Sequence, residues 1–564
     1  MNTILTLQDR EQAAAYYASG VWQSDTLYAL LQKHAQARPD AWAMRDSVHR
    51  LTWAALLQWT DAVAADLEQA GLRKGSRVSV WLPNRVEALI VFLACSRNGY
   101  ICNPSLHQNY TVAEIVTLLG RIHCEAFFGQ KAYGADAASF GNEGVAQQIG
   151  AVETLRRAYW LEPRSAGVQG ADPAFPQREG GTPRIPADSN PDKIVYLAFT
   201  SGTTGTPKAV MHSDNTLLAN GRAMVRDWHH DHNTVLLTLS PISHHIGTVA
   251  LEQAMAAGLE LVVNDLPAGF KPIDWIEETG ATYVMGVPTH AMDILAEVKR
   301  RELGRLGKVK VFYMAGAPIP RETAQAFLNL DIVPQNIYGM TENGSHQYTL
   351  PTDDTDTIVG TCGRACDAYE IKLWNQENPD IEAKPGEIGE IGGRGGCLML
   401  GYFDNQRATE TSFNASGWFL SGDLGMLDKN GCLIIMGRKK DLIIRGGHNI
   451  HPSTIEDLAL RNKLVLKAAA FPVADERLGE KVCLAVITSD AATLTADMML
   501  QHLHDAGLSK FDMPEYYVVM QEFPMTPSGK ILKRGLVDLV KQGRLVPQAV
   551  RWISSEKQAT KESN

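Results

Sequence analysis

Six consecutive residues, Thr200 to Gly205, are only Thr, Ser and Gly, and Lys208 follows them after a proline. Glycines let backbone N–H groups approach a phosphate closely, and clustered hydroxyls add donors. Lys208 adds a compact positive charge. The chemistry this composition suits is the binding of a polyphosphate, although alone it reads equally well as a flexible connection. It is not a Walker-type loop, which needs G-x-x-x-x-G-K-[ST] running into a helix. Gly202 and Gly205 are too close together, and Pro207 separates the loop from Lys208.

Two strands must carry this loop. Ile194 to Phe199 is an unbroken apolar run, which predicts a buried strand. Ala209 to His212 predicts a second strand, with Ser213 or Asp214 capping the next helix. Upstream, helices are predicted over 26–38, 51–71, 85–97 and 111–119, with strands at 77–82 and 125–128. Downstream, strands are predicted at 234–239, 259–263, 282–285 and 309–314, with helices such as 291–301 and 321–328. This alternation indicates α/β layering. Residues 163–190 are rich in Pro, Gly and Ser and read as an exposed, partly mobile connection. From Thr357 to Gly437 short strands and glycine turns predict a β-rich subdomain. A smaller α/β unit follows from Asp441, and the tail after about Arg551 is polar and expected to fray.

The chain of 564 residues is too long for one core. Its 45% apolar and 21% charged residues are ordinary for a soluble globular protein, and its net charge of −10 argues against a nucleic-acid partner. The eight cysteines form no C-x-x-C pair, so they are read as reduced thiols. The N-terminus has no signal-peptide pattern, and no apolar run reaches the length of a membrane helix. The expectation is a cytoplasmic protein without stable membrane insertion. His229, His230 and His232 are read as a solvated turn rather than a metal site, because no acidic or Cys partner is arranged around them.

Further segments recur in order: Pro241-Ile-Ser-His-His-Ile-Gly247, Met314-Ala-Gly-Ala-Pro318, Ile337-Tyr-Gly-Met-Thr-Glu342, Trp418-Phe-Leu-Ser-Gly-Asp423, Gly437-Arg-Lys-Lys-Asp-Leu442, Arg445-Gly-Gly-His-Asn-Ile-His-Pro452 and Thr526-Pro-Ser-Gly-Lys530. With the opening loop they resemble the adenylate-forming superfamily of acyl-CoA synthetases, luciferases and peptide-synthetase adenylation domains. The resemblance covers residues 25 to 540. It implies a large N-terminal α/β domain (1–439) of several subdomains, one β-rich, that holds the acyl and ATP sites. A small mobile α+β C-terminal domain (440–550) and a polar tail (551–564) complete the chain.

The implied reaction activates a carboxylic acid with ATP to an acyl-adenylate and transfers the acyl group to coenzyme A. Two anions must meet, so the site needs cations and oriented dipoles. The resemblance assigns Lys530, His244 and Thr341 to catalysis. It assigns Thr200, Ser201, Gly202, Thr203, Thr204, Gly205 and Lys208 to the phosphates. Gly316, Ala317, Pro318, Tyr338 and Gly339 go to adenine and its surroundings, with Thr341 and Lys530 on the α-phosphate. Asp423 and Arg438 fall on the ribose. Glu342 and Thr204 are the Mg²⁺ candidates, since hard oxygens suit that ion. Gly446 and Gly447 match the glycine pair beside the thiol tunnel, and Lys440 the hinge. His245 is a second candidate beside His244, with a packed core histidine as the competing reading for both.

Small Gly339 is taken to leave the acyl pocket open, and no aspartate stands where amino-acid-activating relatives carry one. The expected substrate is a medium-chain, alicyclic or aryl acid. The alternative is a ligase that loads a carrier-protein phosphopantetheine. The partners are the acid, ATP and CoA, with a homodimer as a candidate assembly. Three positions depart from the family pattern: Ala209 and Gly396, where glycine and proline are usual, and His448, where Glu or an aromatic is common.

Overall fold

A computed structural model of the chain describes residues 4–164, 172–200, 207–317, 319–489, 494–525 and 531–552. Residues divide into two compact units. The first comprises Met1–Ile371, Gly393–Phe419 and Lys429–Leu433, and the second Lys372–Gly392, Leu420–Asp428 and Ile434–Asn564. The second unit therefore begins ahead of Lys440 and takes in stretches of the expected β-rich subdomain.

Two large sheets build the first unit. One has nine strands, ordered Arg364–Ala365, Gly344–Tyr348, Val333–Met340, Val311–Met314, Tyr283–Gly286, Val235–Thr238, Glu260–Val263, Trp42–Arg45 and Arg50–Thr52. Its centre is parallel and its edges are antiparallel. The other has six strands, ordered Arg157–Leu161, Cys124–Gln130, Arg77–Trp81, Ile101–Asn103, Ile194–Thr200 and Lys208–Ser213. It is parallel up to the last pair, which is antiparallel. Parallel strands need crossovers, and helices cover the faces. The helix Val86–Asn98 is buried along its whole length: Ala88–Cys95 is an unbroken apolar run, and the polar residues that flank it, Glu87, Ser96, Arg97 and Asn98, are buried with hydrogen-bond partners.

The strands around the opening loop form as the apolar runs predict. Ile194–Thr200 is buried through its middle and pairs with Lys208–Ser213, Phe199 opposite Ala209 and Thr200 opposite Lys208. Ser213 then caps the helix Asp214–Asp227, its hydroxyl accepting the Thr216 N–H at 3.1 Å. Ala209 is an ordinary buried strand residue, which explains why no glycine is needed there. Gly396 has its own cause. A Cβ would stand 2.5 Å from Val21 Cγ1, and its N–H donates to the Ala368 carbonyl at 2.8 Å, a bond proline lacks.

The second unit carries a six-stranded sheet in which Gly479–Thr488 pairs antiparallel with Val465–Asp475 and parallel with Tyr516–Val519. The helices Pro452–Leu460, Ala496–Asp505 and Lys533–Lys541 belong to it. A four-stranded sheet, ordered Tyr369–Trp374, Gly389–Gly395, Phe419–Leu427 and Leu433–Arg438, accounts for the glycine-turn stretch.

Two expectations are corrected in part. The described part of the 163–190 connection is mostly exposed and without helix or strand, as expected, but it is anchored to the body: Phe175 and Asp172 are buried, Pro176 accepts from Trp59 Nε1 at 2.8 Å, and Ile185 accepts from Arg97. Its polar composition hid these anchors. His229 and His232 are exposed, as the turn reading expects, but His230 is half-buried and stacks on Tyr283 at 4.3 Å between ring centroids, and burial pushes it down to about 4. Trp552 packs 4.3 Å from the His504 ring, and the rest of the tail that is expected to fray lies outside the described residues.

Candidate active site

The strand Val333–Met340 delivers Tyr338, Gly339 and Met340 to a sharp turn, and Gly344–Tyr348 returns antiparallel beside it. Thr341 and Glu342 stand in that turn. Asn343 fixes it by accepting the Met340 N–H at 3.0 Å. Gly339 is dictated here by backbone, because a Cβ would lie 1.9 Å from the Gly344 carbonyl oxygen. Its small size reflects this close approach and so carries no information about an open acyl pocket. Tyr338 is 8% exposed and meets His346 edge-on, with ring centroids 5.7 Å apart.

Glu342 is buried to 8% exposure, and its carboxylate accepts a 2.9 Å hydrogen bond from the Tyr402 hydroxyl. Burial, and then the neighbouring Glu342 charge, push the Tyr402 phenol far up, so Tyr402 stays protonated and donates. The Lys208 ammonium lies 4.5 Å from the centroid of the same ring. A cation, an aromatic platform and a carboxylate are thereby linked. The Met399 N–H donates to the Glu342 carbonyl at 2.7 Å, which ties the turn to the segment that carries Tyr402.

Sequence reasoning missed Tyr402, which carries no signal of its own because its partner lies sixty residues away. It also missed His212. Strand alternation could have found that one, since Lys208, Val210 and His212 share a face. His212 is 1% exposed, and its Nε2 lies 2.7 Å from the Thr341 carbonyl oxygen.

The segment Pro241–Gly247 folds as a turn into the helix His245–Ala257. Gly247 is required there, because a Cβ would lie 2.8 Å from Ile242 Cα. His244 is the cap: its Nδ1 accepts the Ile246 N–H at 3.3 Å, so a neutral ring carries its proton on Nε2. His245 is buried, contacts the Tyr196 hydroxyl at 3.2 Å and is held well below its usual range by burial. Between the two, His244 is the half-exposed one. The same helix carries Glu252, which the sequence reading passed over. Neither of its carboxyl oxygens has a hydrogen-bond partner among the described residues, and burial raises its pKa well above the usual carboxylate range. Gly316 takes φ +87°, and Ala317 beside it is exposed. Ser201, Gly202, Thr203, Thr204, Gly205, Pro318 and Lys530 lie outside the described residues.

In the second unit Asp423 and Arg438 pair at 2.7 Å. Glu390 supports both strands, accepting from Gly422 N–H at 3.2 Å and from Lys439 at 2.8 Å. Lys440 is exposed in a short turn, Lys439–Asp441. Gly446 and Gly447 have φ of +59° and +86° and join Ile443–Arg445 to His448–Ile450. That is the geometry of a two-residue type I′ hairpin, which favours glycine at both positions. His448 reaches Asp512 at 2.8 Å. Glu456 accepts the Ala470 N–H at 2.7 Å and pairs with Lys533 at 2.7 Å, tying the Lys533–Lys541 helix to the sheet.

Among the described residues one acid and histidine group could share an ion, Asp46, His49 and Glu87, but both carboxylates already take the Arg164 guanidinium. All eight cysteines are free thiols.

Comparison with known proteins gives this geometry its context. Residues 31–403 match the AMP-binding enzyme family, and residues 454–530 match the AMP-binding enzyme C-terminal domain. ATP-bound MatB from Rhodopseudomonas palustris superposes with a TM-score of 0.80 at 26% identity, covering 92% of this chain and 100% of that one. A medium-chain fatty-acid–CoA ligase of Escherichia coli K12 is 28% identical over 94% of this chain and 93% of its own. A salicyl-AMP ligase / salicyl-S-ArCP synthetase of Mycobacterium tuberculosis is 29% identical over 93% of each. Fold and site define an adenylate-forming ligase. The chain belongs to the AMP-binding enzyme family.

Proposed function

We propose that the protein is an AMP-forming carboxylate–CoA ligase for a medium-chain, alicyclic or aryl acid. The observation that carries this reading is the linked set Lys208, Tyr402 and Glu342 beside Thr341, a buried carboxylate on the turn joined through one tyrosine ring to a cation on the strand Lys208–Ser213. A carboxylate oxygen of the acid attacks the α-phosphorus of ATP, and pyrophosphate leaves. The thiol then attacks the acyl carbon, its proton goes to solvent or a base, and AMP leaves.

Lys208, with the Thr200–Gly205 loop, would neutralise the phosphates that leave. Thr341 would donate to the α-phosphate, and Lys530 would bridge it to the attacking carboxylate. Tyr338, Gly316, Ala317, Pro318 and Gly339 would enclose the adenine. Asp423 accepts from ribose hydroxyls and Arg438 orients it. His244 offers an Nε2–H donor toward the acid. Glu342 is a hard oxygen donor held in place by Tyr402, so it fits Mg²⁺, with Thr204 as the second candidate. When bound, that ion would supply charge neutralisation on the phosphates. Lys440 is the proposed hinge of a C-terminal domain beginning there, and Gly446 and Gly447 would flank the thiol.

The medium-chain ligase relative supports an aliphatic acid with CoA as acceptor. The salicyl-AMP relative supports a second reading, an aryl acid delivered to a carrier protein. The test is a panel of acids scored for acid-dependent ATP–pyrophosphate exchange, then for thioester on free CoA against a holo-carrier. Exchange with a C6–C10 or aryl acid and turnover on CoA is expected. Exchange with no acid would overturn the reading. The free thiols fit a reducing compartment such as the cytoplasm, and no described helix is long and apolar enough to cross a membrane. The homodimer is checked by the mass in solution.

A further inference from the structure

His212 lies in neither the phosphate loop nor the acid-lining segment, yet it joins the strand Lys208–Ser213 and the acid-lining His245 to the turn that holds Thr341. It sits on the face of Lys208–Ser213 that also presents Lys208 to Tyr402 and Val210 to the Met399–Tyr402 cluster. Its Nε2 is 2.7 Å from the Thr341 carbonyl oxygen, and its Nδ1 is 3.0 Å from Thr216 Oγ1.

These two contacts fix the tautomer. A carbonyl oxygen only accepts, so Nε2 carries the proton. In a neutral ring Nδ1 must then accept, taking the Thr216 hydroxyl proton. Thr216 Oγ1 in turn accepts the Ser213 N–H at 2.9 Å, part of the cap of helix Asp214–Asp227. Burial pushes His212 down to about 4, so the ring is neutral near pH 7. On its other side the ring stacks on His245 at 5.8 Å with 17° between planes. The chain of bonds runs from a helix cap, through one rigid aromatic ring, to the backbone of Thr341.

We propose that His212 is a positioning residue for adenylation, fixing the Thr341 backbone so that its hydroxyl meets the α-phosphate in register. This rests on the role given to Thr341 above. A group that only orients a transition-state donor should affect kcat more than ground-state binding. A side chain that merely fills the core would show no preference for where its donor sits.

The test compares His212→Gln, His212→Asn and His212→Phe in acid-dependent ATP–pyrophosphate exchange, in transfer from preformed acyl-adenylate to CoA, and in thermal melting. Glutamine can place an amide N–H near the Nε2 position, asparagine reaches only the Nδ1 position, and phenylalanine keeps the ring without a donor. The expected result is that Gln retains the exchange kcat within about threefold, while Asn and Phe lose about 10- to 100-fold, the scale of one buried hydrogen bond. KM for ATP should move less than the rate, and transfer from preformed adenylate should be spared. If Phe melts early, the contrast between Gln and Asn carries the test. Wild-type exchange rates in Asn and Phe, or a Gln loss equal to theirs, overturn this inference alone. No exchange by the wild type with any acid overturns the underlying reading and the inference with it.

Discussion

Replacing Tyr402 with phenylalanine removes one oxygen and leaves the ring. The ring keeps its place under the Lys208 ammonium, 4.5 Å from the centroid. What is lost is the 2.9 Å bond from the hydroxyl to the Glu342 carboxylate, between residues 5% and 8% exposed. A hydrogen bond to a charged group contributes about 1.5–3 kcal/mol. At about 1.4 kcal/mol per tenfold, the step that uses an oriented Glu342 should slow by roughly 10- to 150-fold. The assay is ATP–pyrophosphate exchange titrated with Mg²⁺ at fixed ATP. Tyr402→Phe should need more Mg²⁺ for half-maximal exchange and show a lower kcat/KM for MgATP. Transfer of the acyl group from preformed adenylate to CoA should keep its rate. Wild-type Mg²⁺ dependence and exchange rate in this variant would refute the reasoning, because Glu342 would then hold its place without Tyr402.

Gly339→Ala places a methyl where the Gly344 carbonyl stands 1.9 Å away, so the turn at Thr341 must open. Overpacking costs about 1–3 kcal/mol, and exchange activity should fall with the melting temperature; an alanine variant that is active and equally stable would show the hairpin is free to shift. Glu252 has a raised pKa in the folded state through burial. Its stabilising contribution is therefore present below the unfolded value and is lost as pH rises toward the folded one, by about 1.4 kcal/mol per pH unit. Glu252→Gln should accordingly gain stability relative to wild type between pH 5 and 8 in urea unfolding, and a difference independent of pH would count against it. Gly446 sits at φ +59° in a type I′ turn. Gly446→Asn should melt close to wild type while Gly446→Val loses about 1–2 kcal/mol; equal melting of the two would remove the turn as the reason for glycine.

Much of this protein is local in origin. Apolar runs such as Ile194–Phe199 and Ala88–Cys95 can only be buried, and alternation of strands and helices sets the α/β class. The Thr/Ser/Gly composition of 200–205, with Lys208, suits a phosphate, although by itself it reads equally well as a flexible connection. A cap at Ser213 or Asp214 follows from residue type and neighbours, and the structure selects Ser213. For such features the physical cause lies within a few residues, so the sequence by itself determines them.

Other properties are set by residues far apart in the chain, and only the tertiary structure decides them. Gly339, Gly396, Gly446 and Gly447 look alike in a sequence. Gly339 is fixed by a returning carbonyl, Gly396 by Val21 and Trp22, and Gly446 and Gly447 by a turn of defined hand. The polar stretch 172–190 hid buried anchors because Phe175 and Asp172 find their burial against distant elements. His212 and Tyr402 carry no motif; they matter because folding places them against Thr341 and Glu342, 129 and 60 residues away. The sequence supplies the candidate groups for nucleotide and acid. Which groups hold those groups in place depends on contacts made only when the sheets have packed.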